Sequence, residues 1–207
     1  MSLGAVLMAA GSGSRMGFKP KCLLRLNGQT LMERLIEALM QAGVDELVVV
    51  LGHYHQDIAP FVRHEKAHCV LNPRPDEGQI SSQRIGLQAL KPTHDRIIMA
   101  LADQPLIETV DVKQLLMEFK TRADNIEMVS PRLSSGPGNP VIISNTVRHD
   151  ILKQGGNYGC RQWRGEHPSR AHQFLSDNPH FVCDVDTLED VRALETSKGI
   201  SLTWDPS

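Results

Sequence analysis

The sequence has few aromatic residues and almost no net charge. Of its 207 residues, 5 are Phe, 2 are Tyr and 2 are Trp, too few rings for a surface that stacks the bases of single-stranded nucleic acid. Lys and Arg total 22 and Asp and Glu total 24, which gives a formal charge of −2. This balance excludes a basic nucleic-acid coat and an acidic solvating tail. We therefore expect no nucleic-acid partner.

Paired cysteines and long apolar runs are also missing. Cys22, Cys69, Cys160 and Cys183 form no C-x-x-C pair, so neither a zinc ribbon nor a dithiol redox motif is indicated. The apolar run 3–10 is far shorter than the ~20 residues that a membrane-spanning helix needs, and no basic residue precedes it as in a signal peptide. We expect a cytoplasmic protein with free thiols and no membrane partner.

Strand and helix signals alternate along the chain. Continuous apolar segments predict buried strands at 5–9, 46–51, 97–101, 127–130, 140–144 and 181–185. Segments with helical apolar spacing predict helices at 31–41, about 82–90, 110–122, 145–154 and 188–195. Ser81 or Ser82 is the expected N-cap of the second helix, and 132–138 is the expected loop. This alternation predicts one α/β domain over 1–207, with helices on both faces of a mainly parallel sheet.

The loop after the first predicted strand carries the strongest functional signal. It reads Met8-Ala-Ala-Gly-Ser-Gly-Ser-Arg-Met-Gly-Phe-Lys-Pro-Lys21. Small residues beyond the carboxyl end of a parallel strand leave backbone N–H groups free to bind phosphate oxygens. Positive charge supports this reading, because residues 1–32 contain four basic residues (Arg15, Lys19, Lys21 and Arg25) and no acidic one. The plain alternative is a tight turn with a solvated basic face.

Two familiar phosphate loops do not match this segment. The Walker pattern fails because Gly17 is followed by Phe18 and then Lys19. Gly11, Gly13 and Gly17 give G-x-G-x-x-x-G, one residue longer than the dinucleotide pattern. A hydride-transfer enzyme is therefore poorly supported.

The loop does resemble the signature of a known family. Arg15-Met-Gly17 and Pro20-Lys-Cys-Leu-Leu24 match that of nucleotidyltransferases related to the molybdopterin guanylyl- and cytidylyltransferases. Sugar-phosphate nucleotidyltransferases share this signature. The resemblance implies a Rossmann-like, three-layer α/β/α nucleotidyltransferase fold. It also implies that Arg15 and Lys21 are catalytic and that the triphosphate is bound by these two residues and by Ala9, Ala10, Gly11, Ser12, Gly13 and Ser14.

Carboxylates follow two predicted strands. Asp103 comes directly after the strand 97–101, and Asp184 and Asp186 lie on one side of an extended chain at the end of the last predicted strand. Carboxylate oxygens together with substrate phosphates are the usual ligands of Mg²⁺. The alternatives are a turn former for Asp103 and a helix N-cap for Asp186 or Thr187. The sequence predicts Mg²⁺, or Mn²⁺, bound by Asp103 and Asp186, with Asp184 a weaker ligand.

The same segments indicate which branch of the family the chain resembles. Asp103-Gln-Pro105 resembles the cytidylyltransferase branch, as does Ala9-Ala-Gly11. Asp184-Val-Asp-Thr-Leu-Glu-Asp190 resembles the family's D-[IV]-D-T-P-E-D, with Leu188 in place of Pro. A Pro at this position assists helix initiation and takes no part in the chemistry.

Three further segments resemble the nucleobase and acceptor regions of the family. Ser81 and Ser82 lie in a G-x-x-S-S segment and are predicted either to bind the nucleotide or to cap a helix. Asn139 and Pro140 match G-x-x-G-[HN]-P-V, which implies acceptor contacts. Asn157 stands where the family's G-D-x-G-A-R has Asp, and it is the third predicted acceptor residue.

The resemblance implies a nucleotidyltransferase that moves CMP from CTP to the terminal phosphate of molybdopterin or the molybdenum cofactor and releases pyrophosphate. One alternative is a guanylyltransferase using GTP, or a transferase for another phosphorylated acceptor. An alternative of another class is a non-catalytic carrier or insertion chaperone that delivers the cofactor to a molybdenum hydroxylase. That hydroxylase is also the expected recipient of the enzyme's product.

Overall fold

The computed structural model describes residues 2–204, in which strands and helices alternate. Its strands, in chain order, are β1 (Leu3–Ala9), β2 (Arg25–Leu26), β3 (Gln29–Thr30), β4 (Glu46–Leu51), β5 (Ala67–Leu71), β6 (Arg96–Leu101), β7 (Met128–Leu133), β8 (Gly136–Pro137), β9 (Val141–Ser144), β10 (Ala171–Leu175) and β11 (Leu202–Thr203). Its α-helices are α1 (Leu31–Gln41), α2 (His55–Ile58), α3 (Gln79–Ala89), α4 (Thr109–Thr121), α5 (Asn145–Gln154), α6 (Cys160–Glu166) and α7 (Leu188–Lys198).

The main sheet is mainly parallel, as the sequence predicts. Its order is β10-β7-β9-β6-β1-β4-β5, with β8 paired to β7. β1 runs parallel to both β4 and β6, whereas β9 runs antiparallel to β6 and β7. Ala9 is in register with Leu51, and Met8 with Leu101. The loops that follow β1, β4 and β6 therefore leave the sheet at one edge.

Side chains of β1 alternate between two buried layers, which gives the predicted α/β/α arrangement. Ala5 and Leu7 pack in one apolar cluster with residues of α1 and α4. Val6 and Met8 pack in a second cluster with residues of α3, α5 and α6. Helix α3 lies close to the sheet because Gly86 has no side chain: a Cβ there would be 2.3 Å from Val6 Cγ1.

A second, smaller sheet supports the loop after β1. Its order is β11-β2-β3. Met16 of the loop is buried with Leu24, with Val185 and with Leu194 of α7. This third apolar cluster holds the segment before α7 next to the loop that follows β1.

Several sequence predictions need correction. The strand predicted at 181–185 is wrong: a 3₁₀ turn at Pro179–Val182 is followed by irregular chain. The N-cap of α3 is Gly78, so neither Ser81 nor Ser82 caps this helix. The predicted loop 132–138 instead contains the end of β7 and all of β8. The strands β5 and β10 and the helix α6 were not predicted.

Helices of the described part of the chain are short or polar. Within residues 2–204, none is long and apolar enough to cross a membrane.

Candidate active site

The loop after β1 is held in a compact, glycine-dependent conformation. Gly13 and Gly17 have φ values of 57° and 68°, in the left-handed region that favours glycine. The N–H groups of Met16 and Phe18 donate to the carbonyl oxygen of Gly13, at 2.8 and 3.0 Å. A Cβ on Gly13 would lie 2.1 Å from the carbonyl oxygen of Lys19. Glycine is therefore needed at positions 13 and 17 of this turn, and exposed Ser14 lies within it.

A neighbouring loop fixes the first part of this turn. The hydroxyl of Tyr54 donates to the carbonyl oxygen of Ser12 at 2.7 Å. Gly52 follows β4, and a Cβ there would lie 2.6 Å from the carbonyl oxygen of Ala10. The chain after β4 thus supports the phosphate-binding loop predicted from sequence, a role that no pattern in the sequence identifies.

Lys21 brings together the two carboxylates that the sequence predicts to bind metal. Its Nζ lies 2.6 Å from Asp103 Oδ2 and 2.6 Å from Asp186 Oδ1. Asp103 follows β6, and its carbonyl oxygen accepts from the N–H of Val185 at 3.0 Å. This backbone hydrogen bond joins the segment before α7 to the end of β6. Side chains separated by 82 and 165 positions thereby meet.

Arg15 completes this group of charges. Its guanidinium lies 2.8 Å from Asp186 Oδ2. The N–H of Asp186 donates to Asp190 Oδ2 at 2.9 Å, and Thr187 caps α7. Asp186 therefore precedes the N-cap, and its side chain stays free to meet Arg15 and Lys21. We call Arg15, Lys21, Asp103 and Asp186 the charged cluster.

Burial and neighbouring charges shift the pKa values of this cluster in opposite directions. Burial favours the neutral form of Lys21, but the carboxylates of Asp103 and Asp186 outweigh it and raise the pKa of Lys21 above its usual value. Burial alone would raise the pKa of Asp186, whereas Lys21 and Arg15 bring it below its usual value. For Asp184 the opposing influences, from Gln104 and Lys21, are weaker. Partial burial and the charges of Asp103 and Asp186 raise its pKa to about 6.

The donors fit a divalent cation completed by substrate oxygens. Asp103 Oδ1 is buried and has no hydrogen-bond partner within the described residues, although buried carboxylate oxygens are normally satisfied. Within residues 2–204, no three His, Cys, Asp or Glu side chains are grouped as a metal site. Two carboxylates with phosphate oxygens and water are nevertheless a typical magnesium environment. The charged cluster therefore suits a cation that arrives with a triphosphate.

Two cavities adjoin at the carboxyl ends of β1 and β6, beside the charged cluster. The loop-side cavity, of about 380 Å³, is lined by the turn residues Ala10, Gly11 and Ser12 and by Asp103. The α6-side cavity, of about 470 Å³, is lined by residues that include Asn139 and Asp184. Both include Met8, Gln79 and Leu101. Two ligands bound in these cavities would meet beside Asp103 and Asp184.

The remaining predicted site residues do not lie together in the structure. Ala9 lines a small space with Lys21 and Asp103, and Pro140 is buried directly after Asn139. Ser81 and Ser82 both accept hydrogen bonds from Asn72 Nδ2. These bonds tie the chain after β5 to α3.

Asn157 lies apart from Asn139. It lines a cavity of about 610 Å³ together with Ser81 and Arg84, on another face of α3. The structure thus brings the loop, Lys21 and the carboxylates together, but it does not join Ser81 and Asn157 to them. Their roles in binding stay predictions.

Sequence reasoning missed other residues of the two cavities. His53 and Asp76 line the loop-side cavity, where His53 Nε2 lies 3.3 Å from Asp76 Oδ1. Arg161 and Arg164 line the α6-side cavity. Arg161 belongs to the segment that resembles G-D-x-G-A-R, which was the available signal. Arg164 lies on the unpredicted helix α6.

The chain matches a family model and a named relative over most of its length. The MobA-like NTP transferase domain matches residues 5–171 of the chain. Nicotine blue oxidoreductase of Paenarthrobacter nicotinovorans is 31% identical over 194 residues, which cover 91% of this chain and 94% of that protein. The chain is thus similar over nearly its whole length to a protein that is named as an oxidoreductase.

Solved structures share the fold. Rv0371c from Mycobacterium tuberculosis H37Rv has a TM-score of 0.76 and 25% identity, over 94% of this chain and 97% of that one. Its manganese complex gives 0.74 and 24%, over 95% and 100%. A nucleotidyl transferase from Methanothermobacter thermautotroptrophicus gives 0.75 and 24%, over 95% and 97%. With the loop and the charged cluster, the domain match over residues 5–171 identifies the chain as a member of the MobA-like NTP transferase family, an enzyme of the nucleotidyltransferase type.

Proposed function

We propose that this enzyme transfers CMP from CTP to the terminal phosphate of molybdopterin, or of its molybdenum-bearing form, and releases pyrophosphate. The observation that carries this proposal is the meeting of Lys21 with Asp103 and Asp186 beside the glycine-rich loop. A triphosphate needs backbone donors, a positive side chain and metal-binding carboxylates in one place. The chain supplies all three at the junction of the two cavities.

In this proposal the triphosphate lies against the loop after β1. Backbone N–H groups of Ala9 to Ser14 hold the phosphates, and the nucleoside enters the loop-side cavity, which includes His53 and Asp76. Arg15, whose side chain is 66% exposed, neutralises the outer phosphates. Lys21, at 17% exposure, donates to the α-phosphate that reacts. Its shielded position strengthens that charge–charge interaction.

Asp103 and Asp186 are the proposed ligands of Mg²⁺ or Mn²⁺. When bound, this ion would neutralise negative charge on the phosphates. The unpartnered Asp103 Oδ1 supports this assignment. The manganese complex of the mycobacterial relative is consistent with a divalent ion in such a fold. Asp184 lines the α6-side cavity and stays the weaker candidate ligand.

The transfer step requires alignment more than acid–base chemistry. An oxygen of the ionised acceptor phosphate attacks the α-phosphorus of CTP, and a new P–O bond forms. The bond from the α-phosphorus to the bridging oxygen breaks, and pyrophosphate leaves with that electron pair. Because the nucleophile is already an anion, no general base is needed. Lys21 and the loop N–H groups stabilise charge on the α-phosphoryl group.

The choice of CTP rests on sequence resemblance, at Ala9-Ala-Gly11 and Asp103-Gln-Pro105. The deciding experiment incubates the enzyme with Mg²⁺, molybdopterin and each of CTP, GTP, ATP and UTP, and measures pyrophosphate release and product mass. We expect turnover with CTP and none with Asp103→Asn. Turnover with GTP alone would assign the guanylyltransferase alternative. Tight pterin binding without turnover would assign the carrier.

Similarity to nicotine blue oxidoreductase makes an oxidoreductase the second candidate. The spacing of Gly11, Gly13 and Gly17 argues against a nicotinamide site. A parallel assay follows NADH and NADPH oxidation with flat, oxidised ring compounds as acceptors. Oxidation by the wild-type enzyme and by Asp103→Asn alike, with no pyrophosphate from any nucleotide, would favour this candidate.

A further inference from the structure

The segment that carries Asp184 and Asp186 has little regular structure of its own. It comprises residues 178–186, between β10 and α7, and we call it the strap. The 3₁₀ turn Pro179–Val182 is the regular element within it. Contacts with other parts of the fold must therefore position the two carboxylates of the strap.

The beginning of the strap is bound by a buried carboxylate that takes no part in the proposed chemistry. Asp111, in the first turn of α4, is 2% exposed. Its Oδ1 accepts a hydrogen bond from Asn178 Nδ2 at 2.7 Å, and its Oδ2 lies 2.9 Å from His180 Nδ1. Oδ2 also accepts from the N–H of Glu108, the N-cap of α4, at 2.8 Å. Capping needs one acceptor oxygen, and burying a carboxylate is costly unless it is paired, so the contacts with the strap exceed what the helix requires.

The middle of the strap is tied to residues beside the charged cluster. Phe181 is fully buried, and its carbonyl oxygen accepts from the N–H of Asn139 at 2.8 Å and from Gln104 Nε2 at 3.3 Å. Gln104 directly follows Asp103 and is 2% exposed. Its amide is also a hydrogen-bonding neighbour of the Asp184 carboxylate. The position of the Phe181 carbonyl group therefore affects the surroundings of Asp103 and Asp184.

The end of the strap is joined to the charged cluster through the backbone. Val185 is fully buried, and its N–H donates to the carbonyl oxygen of Asp103 at 3.0 Å. Four residues separate His180 from Val185. A segment this short has little slack between its two anchors, and close-packed interiors transmit displacements. A shift of His180 is therefore expected to reach Asp184 and Asp186.

We propose that Asp111 is a positioning residue for the metal site. By holding Asn178 and His180, it keeps the strap where Asp186 and Asp103 can share one divalent cation. This inference rests on the proposed function, because it takes those two carboxylates as metal ligands. It adds that the affinity for the metal depends on Asp111, which lines neither the loop-side nor the α6-side cavity.

His180→Ala tests the proposal without removing the cap of α4, because Asp111 keeps its hydrogen bonds with Glu108 and Asn178. Mn²⁺ is titrated into the free enzyme without nucleotide and followed by electron paramagnetic resonance. We expect His180→Ala to bind Mn²⁺ about tenfold more weakly than wild type, a loss typical of removing groups that orient metal ligands. His180→Asn should restore most of the affinity, because an amide Nδ2 can donate to Asp111 Oδ2 in place of the ring nitrogen. In the pyrophosphate assay, His180→Ala should need about tenfold more Mg²⁺ for half-maximal rate and keep its kcat at saturating Mg²⁺.

His94→Ala is the matched control for a general loss of stability. It removes another histidine–carboxylate contact, in which His94 Nε2 lies 2.5 Å from Glu46 Oε2. It should lower the melting temperature at least as much as His180→Ala does and leave the affinity for Mn²⁺ unchanged. Wild-type affinity in His180→Ala, an equal loss in His94→Ala, or no recovery in His180→Asn would overturn the proposal.

Asp103→Asn separates this inference from the proposed function. It removes a proposed metal ligand and should abolish Mn²⁺ binding. Unchanged binding in this variant, or no binding in the wild type, would contradict the metal site and this inference together. Mn²⁺ binding that depends on Asp103 but not on His180 would overturn this inference alone. Binding that depends on both, without CMP transfer from any nucleotide, would refute the proposed function and keep this inference.

Discussion

Lys21→Met removes the ammonium that holds Asp103 and Asp186 together. Each pair joins atoms 2.6 Å apart, and the side chains are 17%, 25% and 36% exposed. Surface ion pairs contribute about 0.2–1 kcal/mol each, and partial shielding here favours the upper value. The free enzyme should therefore lose about 2 kcal/mol of stability. For a domain of this size, that loss lowers the melting temperature by about 4–8 °C.

The same substitution should make the free enzyme a better metal binder. In the wild-type enzyme the Lys21 ammonium competes with a divalent cation for both carboxylates, and Met does not. Mg²⁺ should restore the melting temperature of Lys21→Met more than it raises that of the wild type. Titration with Mn²⁺, followed by electron paramagnetic resonance without nucleotide, should give tighter binding to the variant. CMP transfer by the variant should be lost.

Lys19→Met is the control for this experiment. Lys19 is exposed, and its Nζ lies 5.4 Å from the centre of the Trp204 ring. Its loss should leave Mn²⁺ binding unchanged. Equal melting temperatures and equal Mn²⁺ affinities for wild type and Lys21→Met would refute the reasoning, because they would mean that Lys21 does not compete with a metal for Asp103 and Asp186.

Three further substitutions test other parts of the structure. The pKa of Asp184 is raised to about 6, against about 3.9 for an unfolded Asp. The stability that comes from its neutral form is therefore full below about pH 4 and is lost as pH rises through 6. Urea unfolding should show Asp184→Asn more stable than wild type at pH 8 and equal to it at pH 4. His94→Ala leaves the buried Glu46, whose Oε2 lies 2.5 Å from His94 Nε2, without this hydrogen-bond partner, and should cost about 3 kcal/mol in urea unfolding. Its kcat should stay unchanged, because this pair lies at the amino ends of the strands. Gly13→Ala places a Cβ against Lys19, and this displacement should reduce kcat/KM for the nucleotide about 100-fold, with an unchanged kcat/KM contradicting the loop assignment.

Local signals in the sequence were sufficient for two of the capped helices. Helices 31–41 and 145–154 were predicted with the bounds that the structure has. Thr30 caps the first through a capping box with Glu33, and Ser144 caps the second. Such hydrogen bonds depend on residues three positions apart and are visible in sequence. The loop after β1 was equally readable, because Gly13 and Gly17 have backbone angles that other residues rarely adopt.

Elements fixed by distant contacts were not readable. Phe181 and Val185 resemble a buried strand, but Asn178 and His180 both contact the buried carboxylate of Asp111 on α4, at 2.7 and 2.9 Å. These contacts hold a 3₁₀ turn there instead. Helix α6 has only 7 residues, too few for a periodic signal. The same limit applied to the candidate site. Asp103, Asp186 and Lys21 were predicted from sequence and do lie together, but Arg161 and Arg164 on α6 were not recognised as residues of the cavity.

The most direct test of the central claim follows a label at each of two phosphates of CTP. The enzyme is given Mg²⁺, molybdopterin and CTP labelled with ³²P at either the α- or the γ-phosphate. Our account predicts that the α-label appears in the pterin product, that the γ-label appears in pyrophosphate, and that Asp103→Asn and Lys21→Met abolish both transfers. Appearance of the γ-label in the pterin, or release of neither label by the wild-type enzyme, would contradict it.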